Sequence, residues 1–313
     1  MDAAEVEAAV RRALTEDVGE GDVTTLATVP EDAVAQAVMR AREPLVVAGL
    51  GFAEASFLQS KVQSPKSKAG PSEFKVQSSK SLHQDPLEVK VVRLAEDGER
   101  VAAGGALLKF SGSARVMLSA ERVALNFVQR LSGVATLTAQ FVEAVRGTRA
   151  KILDTRKTTP GWRRFEKYAV RCGGGQNHRI GLFDMVLIKD NHVAALKHAK
   201  PNAIAAAVTR ARAAYPKLQT EVEADTLEQV EQAAEAGADM ILLDNMDTAQ
   251  LREAVRRVRG RARTEASGGV TLATVRAIAE TGVDFISVGA LTHSARAVDI
   301  GLDFENEKVS NHG

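Results

Sequence analysis

Six short β-rich runs in the second half of the chain set the strongest limit on what it can fold into. They are KILDTR (151–156), MVLIKD (185–190), QTEVEA (219–224), MILLDN (240–245), RTEASGG (263–269) and FISVGA (285–290). Helical patterns separate them, among them TLEQVEQAAEAGA (226–238) and TLATVRAIAETGV (271–283). Recurrence every roughly 20–35 residues suits βα units with parallel strands. No clean hairpin turn lies between the runs, so an α/β barrel is expected in preference to a sandwich. In such barrels the reacting groups sit at the C-terminal ends of the strands. Those ends carry Asp154, Arg156 and Lys157; Lys189, Asp190 and Asn191; Glu221 and Glu223; Asp244 and Asn245; Ser267, Gly268 and Gly269; and Gly289. SGG at 267–269 is expected to run straight into the helix TLATVRAIAE, a pattern suited to phosphate, and VGA follows one unit later.

The first half alternates. Val6, Val10 and Leu14 share a helical face, which EDVGEGDVTT (16–25) ends. AVAQAVMRAREPLVVAGL (33–50) reads as a strand, a turn and a second apolar stretch, and strand-like alternation returns over 87–114. EDGERVAAGGALLKF has the turn-and-strand pattern of biotinyl and lipoyl carriers but no Met-Lys tip, so it is read as a β-rich element. Residues 59–82, rich in Ser, Lys, Gln and Pro, hold a near-repeat (KVQSPKSK and KVQSSKSL) and read as a disordered surface insertion. A long helical pattern spans 115–146, with Gly133 marking a kink or a close helix contact.

Composition narrows the function classes. At 313 residues the chain suits two domains, or one barrel with an appendage. Its net charge of +1 gives no whole-molecule field toward nucleic acid or membrane, so an anion site must be local. With one cysteine, Cys172, an internal disulfide is impossible, a reducing compartment fits, and the residue is read as packing. The N-terminus lacks the apolar core of a signal peptide and no apolar run is long enough to span a bilayer, which points to the cytoplasm.

The local anion site is sought in 151–192. Nine cations stand there (Lys151, Arg156, Lys157, Arg163, Arg164, Lys167, Arg171, Arg179 and Lys189) against Asp154, Glu166, Asp184 and Asp190. CGGGQNHR (172–179) lies among them, and three glycines allow close backbone approach. Glycines beside arginines describe a pocket for a multiply charged small anion. Glu223 and Asp244, on adjacent strands, would face it with an acidic pair suited to a metal ion or to developing positive charge. His192 and His293 lack metal-ligand spacing and are read as structural. Lys189 could instead form a Schiff base, as in barrel aldolases, but that leaves the arginines unexplained. A nucleic-acid or acidic-protein binder working through the Lys-rich insertion is disfavoured by the charge balance and the lack of an aromatic platform.

These residues carry a resemblance. DTRKTTPGWRRFEKYAVRCGGGQNHRIGLFDMVLIKDNH resembles the core signature of the quinolinate phosphoribosyltransferases, also called nicotinate-nucleotide pyrophosphorylases (carboxylating). TEVEADTLEQVEQAAEAGADMILLDN, EASGGVTLATVRAIAETGVDFISVGALTHS, SAERVALNFVQRLSGVATLT and EDVGEGDVTT are similar to the same family, which covers nearly all of the chain outside 59–82. The resemblance implies an α/β fold: an N-terminal α/β sandwich domain (1–125), then an incomplete TIM-like α/β barrel (126–313) whose C-terminal end packs back on the first domain. It implies a homodimer or hexamer with a shared active site, and transfer from phosphoribosyl pyrophosphate to quinolinate with Mg2+. A relative using nicotinate as acceptor is the alternative within this chemistry. By the same resemblance, Arg156, His178, Arg179 and Lys189 clamp quinolinate, and Arg122 reaches across from the partner subunit. Lys157 contacts phosphate, its division between the two substrates left open. Glu223 and Asp244 hold ribose and metal, and Ser267, Gly268 and Gly289 form phosphate loops. Gly173–Gly175 are expected to turn beneath the pyridine ring so that His178 and Arg179 project onto it.

Overall fold

The structure is a computed structural model, and it describes residues 1–60 and 87–305. The expected insertion therefore lies outside the described residues except at its start, where Gln59 ends a helix and Ser60 follows it. The chain opens with α1 (Ala3–Val18), α2 (Val23–Thr28), β1 (Val34–Ala41), β2 (Leu45–Val46) and α3 (Leu50–Gln59). After 86 come β3 (Lys90–Arg93), β4 (Arg100–Val101), β5 (Ala106–Ser113) and α4 (Ala114–Ala144). Then βα units follow: β6 (Lys151–Leu153), α5 (Arg163–Cys172), β7 (Val186–Ile188), α6 (Asp190–Ala194), α7 (Ala203–Ala214), β8 (Thr220–Ala224) and α8 (Leu227–Glu235). The series ends with β9 (Met240–Asp244), α9 (Thr248–Val258), β10 (Arg263–Ser267), α10 (Val275–Ala279), β11 (Phe285–Ser287), α11 (Ala290–His293) and β12 (Ile300–Glu305).

Two compact units result, one from residues 1–133 with 297 onward, the other from 134–296. The division falls inside α4, later than the expected 125/126. α4 is one helix of 31 residues that passes through Gly133 without a break. In the first unit β12, β1, β5 and β3 lie side by side, with β1 antiparallel to both β12 and β5. α1 follows its sequence: Asp2 accepts the Ala4 N–H at 3.0 Å, Val6, Val10 and Leu14 are buried, and Gly19 caps the end at φ +54°. Phe57 of α3 packs on Phe110 of β5 with ring centroids 4.1 Å apart, inside an aliphatic core that includes Met39, Leu107 and Met117.

All six expected strand runs form strands of one parallel sheet, ordered β6-β11-β10-β9-β8-β7. The last strand of the series pairs with the first, the mark of a winding barrel. Among the described residues β6 and β7 do not pair, and β6 bonds beyond its edge only through the Leu153–Gln176 bridge. The unit is an incomplete α/β barrel.

The glycine triplet has another use than the one expected. A Cβ on Gly173 would lie 2.3 Å from the Ala135 carbonyl oxygen and 2.6 Å from Thr138 Cβ, and one on Gly175 would lie 2.8 Å from Thr138 Cγ2. Ala135 and Thr138 belong to α4, so the triplet seats the end of α5 against that helix. Gly174, at φ +84°, makes the turn between them. Gly173→Ala is expected to lower stability by about 1–3 kcal/mol in urea unfolding, because the contact is with backbone. Unchanged stability would mean that α4 gives way.

Candidate active site

The chemistry gathers at the C-terminal ends of the barrel strands. β6 ends at a buried ion pair between Asp154 and Lys167, whose side chains are 0% and 3% exposed. Asp154 also accepts the Asn177 amide at 2.6 Å and the His178 N–H at 2.9 Å, and the Lys167 ammonium donates to the His178 carbonyl at 3.1 Å. Burial pushes the Asp154 carboxyl up and the Lys167 ammonium down, while each partner opposes the other's shift. Lys167, counted among the nine cations, is thus taken up in holding residues 177–179 in place.

That clamp presents Arg179. Its guanidinium is half-buried and donates weakly to the Met185 carbonyl at 3.4 Å. Burial and then the positive charge of Arg156 push it below the usual arginine value. Arg156 carries a buried Nε that has no hydrogen-bond partner among the described residues. Two cations facing each other, one with an orphaned donor, make a site that an anion would complete.

The His178 ring departs from expectation. Its Nδ1 accepts the Arg179 N–H at 2.7 Å, so the ring proton is on Nε2, directed at Glu221 Oε2 at 2.9 Å. Glu265 Oε2 lies 3.6 Å from the same nitrogen. Both ring nitrogens are engaged within the protein in this structure. Glu265 was not singled out from the sequence. Strand alternation from Ser267 in β10 was the signal that put it on the inward face. The ligand atoms of His178, Glu221 and Glu265 lie within 4.8 Å of one another and could hold a metal ion.

On the neighbouring strands, Lys189 forms an ion pair with Glu223. One expected substrate cation thus lies on one of the expected acids. Asp244, at the end of β9, is pushed up by burial and then by the like charges of Glu223 and Asp225, while Asn245 donates to it at 2.7 Å. Asn245 has φ +54° and donates its N–H to the Ser267 carbonyl at 2.9 Å. Gly268, at φ +100°, lies so close that a Cβ there would fall 2.1 Å from Asn245 Oδ1. The loops after β9 and β10 are therefore locked together at a point only glycine allows.

SGG does not run into a helix. α10 starts at Val275 and spans 5 residues, while Thr271 and Thr274 bond each other ahead of it, their hydroxyls 3.1 Å apart. Lys157 reaches the loop after β11: a Cβ on Gly289 would sit 3.1 Å from its Cδ, and its carbonyl accepts the Thr292 hydroxyl at 2.7 Å. His192 accepts the Lys189 N–H at 2.9 Å and His293 bonds Ser294. Arg122 stands exposed on α4 in the first unit. No helix among the described residues is long and apolar enough to cross a membrane.

Residues 22–132 match the family described as Quinolinate phosphoribosyl transferase, N-terminal domain, and residues 134–303 match its C-terminal domain. Over 298 residues the chain is 46% identical to nicotinate-nucleotide pyrophosphorylase (carboxylating) of Mycobacterium leprae (strain TN), covering 94% of this chain and 95% of that one. The probable nicotinate-nucleotide pyrophosphorylase (carboxylating) of Bacillus subtilis (strain 168) is 40% identical over 299 residues, with 94% and 92% covered. Among solved structures, the nicotinate-nucleotide pyrophosphorylase from Francisella tularensis superposes with a TM-score of 0.84 at 37% identity, covering 97% of this chain and 98% of that one.

Proposed function

The chain belongs to the quinolinate phosphoribosyltransferase family, and from that membership we infer that Arg156 and Arg179 receive the carboxylates of quinolinate. The enzyme transfers the phosphoribosyl group of phosphoribosyl pyrophosphate to quinolinate with decarboxylation. The products are nicotinate mononucleotide, pyrophosphate and carbon dioxide, a step of NAD biosynthesis. The carrying observation for the site is the half-buried, mutually repelling arginine pair with its orphaned Nε. A dianion relieves the repulsion and gives that donor a partner.

Lys189, held by Glu223 in the free site, is the third cation of the clamp. Lys157, Ser267, Gly268 and Gly289 take the phosphates, a reading supported by the packing of Lys157 over Gly289 and by the backbone exposed at Gly268. Glu223 and Asp244 bind the ribose hydroxyls and hold Mg2+. The fit rests on their chemistry, hard carboxylate oxygens, with the Asp244 carboxyl pushed up by burial and by the like charges of Glu223 and Asp225 that a cation would offset. Mg2+ bound there supplies positive charge that offsets the departing pyrophosphate. Arg122, exposed on α4, completes the site of a neighbouring subunit in a homodimer or hexamer. The compartment is the cytoplasm, where a single cysteine suits reducing conditions.

The clamp sets the pyridine nitrogen against the anomeric carbon, where the C–N bond forms as the bond to pyrophosphate breaks. Positive charge grows on the ribose carbon and is stabilised by Glu223 and Asp244. Once the nitrogen is quaternised, the adjacent C–CO2 bond breaks and its electron pair stays on the ring carbon beside the cation. That carbon then takes a proton.

Incubation with quinolinate, phosphoribosyl pyrophosphate and Mg2+ is expected to yield nicotinate mononucleotide and carbon dioxide in equal amounts, and nothing when any one is omitted. Nicotinate as acceptor is expected to be at least roughly 100-fold poorer in kcat/KM, since it leaves buried cations unpaired. Equal use of both acceptors would overturn the two-carboxylate clamp.

A further inference from the structure

Among the cations of 151–192, Arg163 is half-buried and has no task in the transfer chemistry. It is the first residue of α5, between the two loops that carry the clamp arginines. Its Nε donates to the Thr158 hydroxyl at 3.0 Å, and its Nη1 donates to the Ile180 carbonyl at 3.1 Å. Thr158 is turned back on Arg156, whose carbonyl accepts the Thr158 N–H at 2.9 Å and the Thr158 hydroxyl at 3.4 Å. The hydroxyl thus donates to one arginine's backbone while it accepts from the other's side chain. Ile180 directly follows Arg179. One guanidinium therefore spans the loop of Arg156 and the loop of Arg179.

We propose that Arg163 is a positioning residue for acceptor recognition, a brace that fixes the spacing between the Arg156 loop and the Arg179 loop. The need for a brace follows from the charges. Arg156 and Arg179 repel each other, so the loops that carry them tend to part in the free site. Apolar packing offers little to oppose this, because Leu182 and Phe183, just beyond Ile180, are 73% and 75% exposed in the chain. Polar ties hold that turn instead. The Asp184 carboxylate accepts the Ile180 N–H at 2.7 Å and the Gly181 N–H at 2.9 Å, which closes the turn on itself. The Asp154–Lys167 pair holds the chain before Arg179, and Arg163 holds it after. A guanidinium donates in several fixed directions from one plane and can serve both loops at once, whereas an ammonium carries a single nitrogen. Direct contact with the substrate is the competing role for Arg163, and variants of Thr158 separate the two.

The inference rests on the clamp reading, and steady-state kinetics separates the two. Arg163→Met is expected to raise KM for quinolinate about tenfold, with kcat and the KM for phosphoribosyl pyrophosphate changed about twofold or less. Arg163→Lys keeps the charge but loses the span, and is expected to behave like Arg163→Met. Thr158→Val removes the anchor on the Arg156 side and is expected to raise the same KM about threefold to tenfold. It carries the test if the Arg163 variants do not fold. Thr158→Ser, which keeps the hydroxyl, is expected to keep the wild-type KM. Thr158→Val added to Arg163→Met is expected to cost nothing more, because both cut one connection. Wild-type KM for quinolinate in folded Arg163→Met or Arg163→Lys would overturn the proposal. So would a raised KM in Arg163→Met with none in Thr158→Val, which would put Arg163 on the substrate itself. Equal losses with both substrates would also overturn it, as the mark of a scaffold role. Arg179→Ala measured alongside reports on the clamp. If it leaves the quinolinate KM unchanged, the clamp reading has failed and the brace with it. If it raises that KM while the Arg163 variants do not, only the brace has failed.

Discussion

Arg179→Ala is expected to lower kcat/KM for quinolinate by roughly 30-fold to several thousand-fold, the equivalent of about 2–5 kcal/mol for truncating one partner of a buried charge pair. The reason is specific to this site. Arg179 and Arg156 repel each other in the free protein, and partial burial weakens the screening by water. The energy stored in that repulsion is released when a dicarboxylate enters, so the loss falls on substrate binding and not on folding. The thermal midpoint of the alanine variant is therefore expected not to fall. Arg179→Lys keeps the charge but loses the planar fork, and should lie between wild type and alanine. Arg156→Ala should resemble Arg179→Ala, and the double variant should lose less than the two losses combined, because the residues share one ligand. A fall in stability, with quinolinate kinetics unchanged, would show that the arginines serve the fold.

Much of this was legible in the sequence, for identifiable reasons. The six strand runs are short, apolar and evenly punctuated, so strand existence and parallel order followed from spacing alone. The polar residues at their C-terminal ends were found because barrel geometry fixes where such residues must point. Two of the three features that escaped depend on a partner distant in sequence, and the third on a local hydroxyl bond. The glycines of CGGGQNHR read as a ligand cradle because no local pattern reveals that α4 passes 2.3 Å from where a Gly173 Cβ would be. SGG read as the lead into a helix because TLATVRAIAE has helical periodicity, yet hydroxyl bonding between Thr271 and Thr274 delays α10 to Val275. His178 was placed on the substrate because histidine beside arginine suggests a charge pair. Only the structure shows both ring nitrogens used, one of them by a residue 43 positions away.

Lys167→Met is expected to cost about 3–5 kcal/mol of stability in urea unfolding, the largest effect among the substitutions outside the substrate contacts, because it leaves a buried charge uncompensated. Asp154 is fully buried, and its ion pair with Lys167 is the only opposite charge bonded to it among the described residues. Methionine fills the volume but donates nothing to Asp154 or to the His178 carbonyl. Asp154→Leu should be as severe, since it strips acceptors from Asn177 and the His178 N–H and isolates the lysine. The double variant should recover part of the loss but not all, because an apolar pair matches the removed ion pair while the two loop donors stay orphaned. Those donors belong to the residues that present Arg179, so the double variant should also show a raised KM for quinolinate at a stability where Lys167→Met alone barely folds. Full recovery of both stability and KM would mean that the loop of residues 177–179 holds its shape without Asp154. Recovery of stability alone would show one ion pair serving two ends: its charges balance each other within the fold, and its spare oxygens aim the substrate clamp.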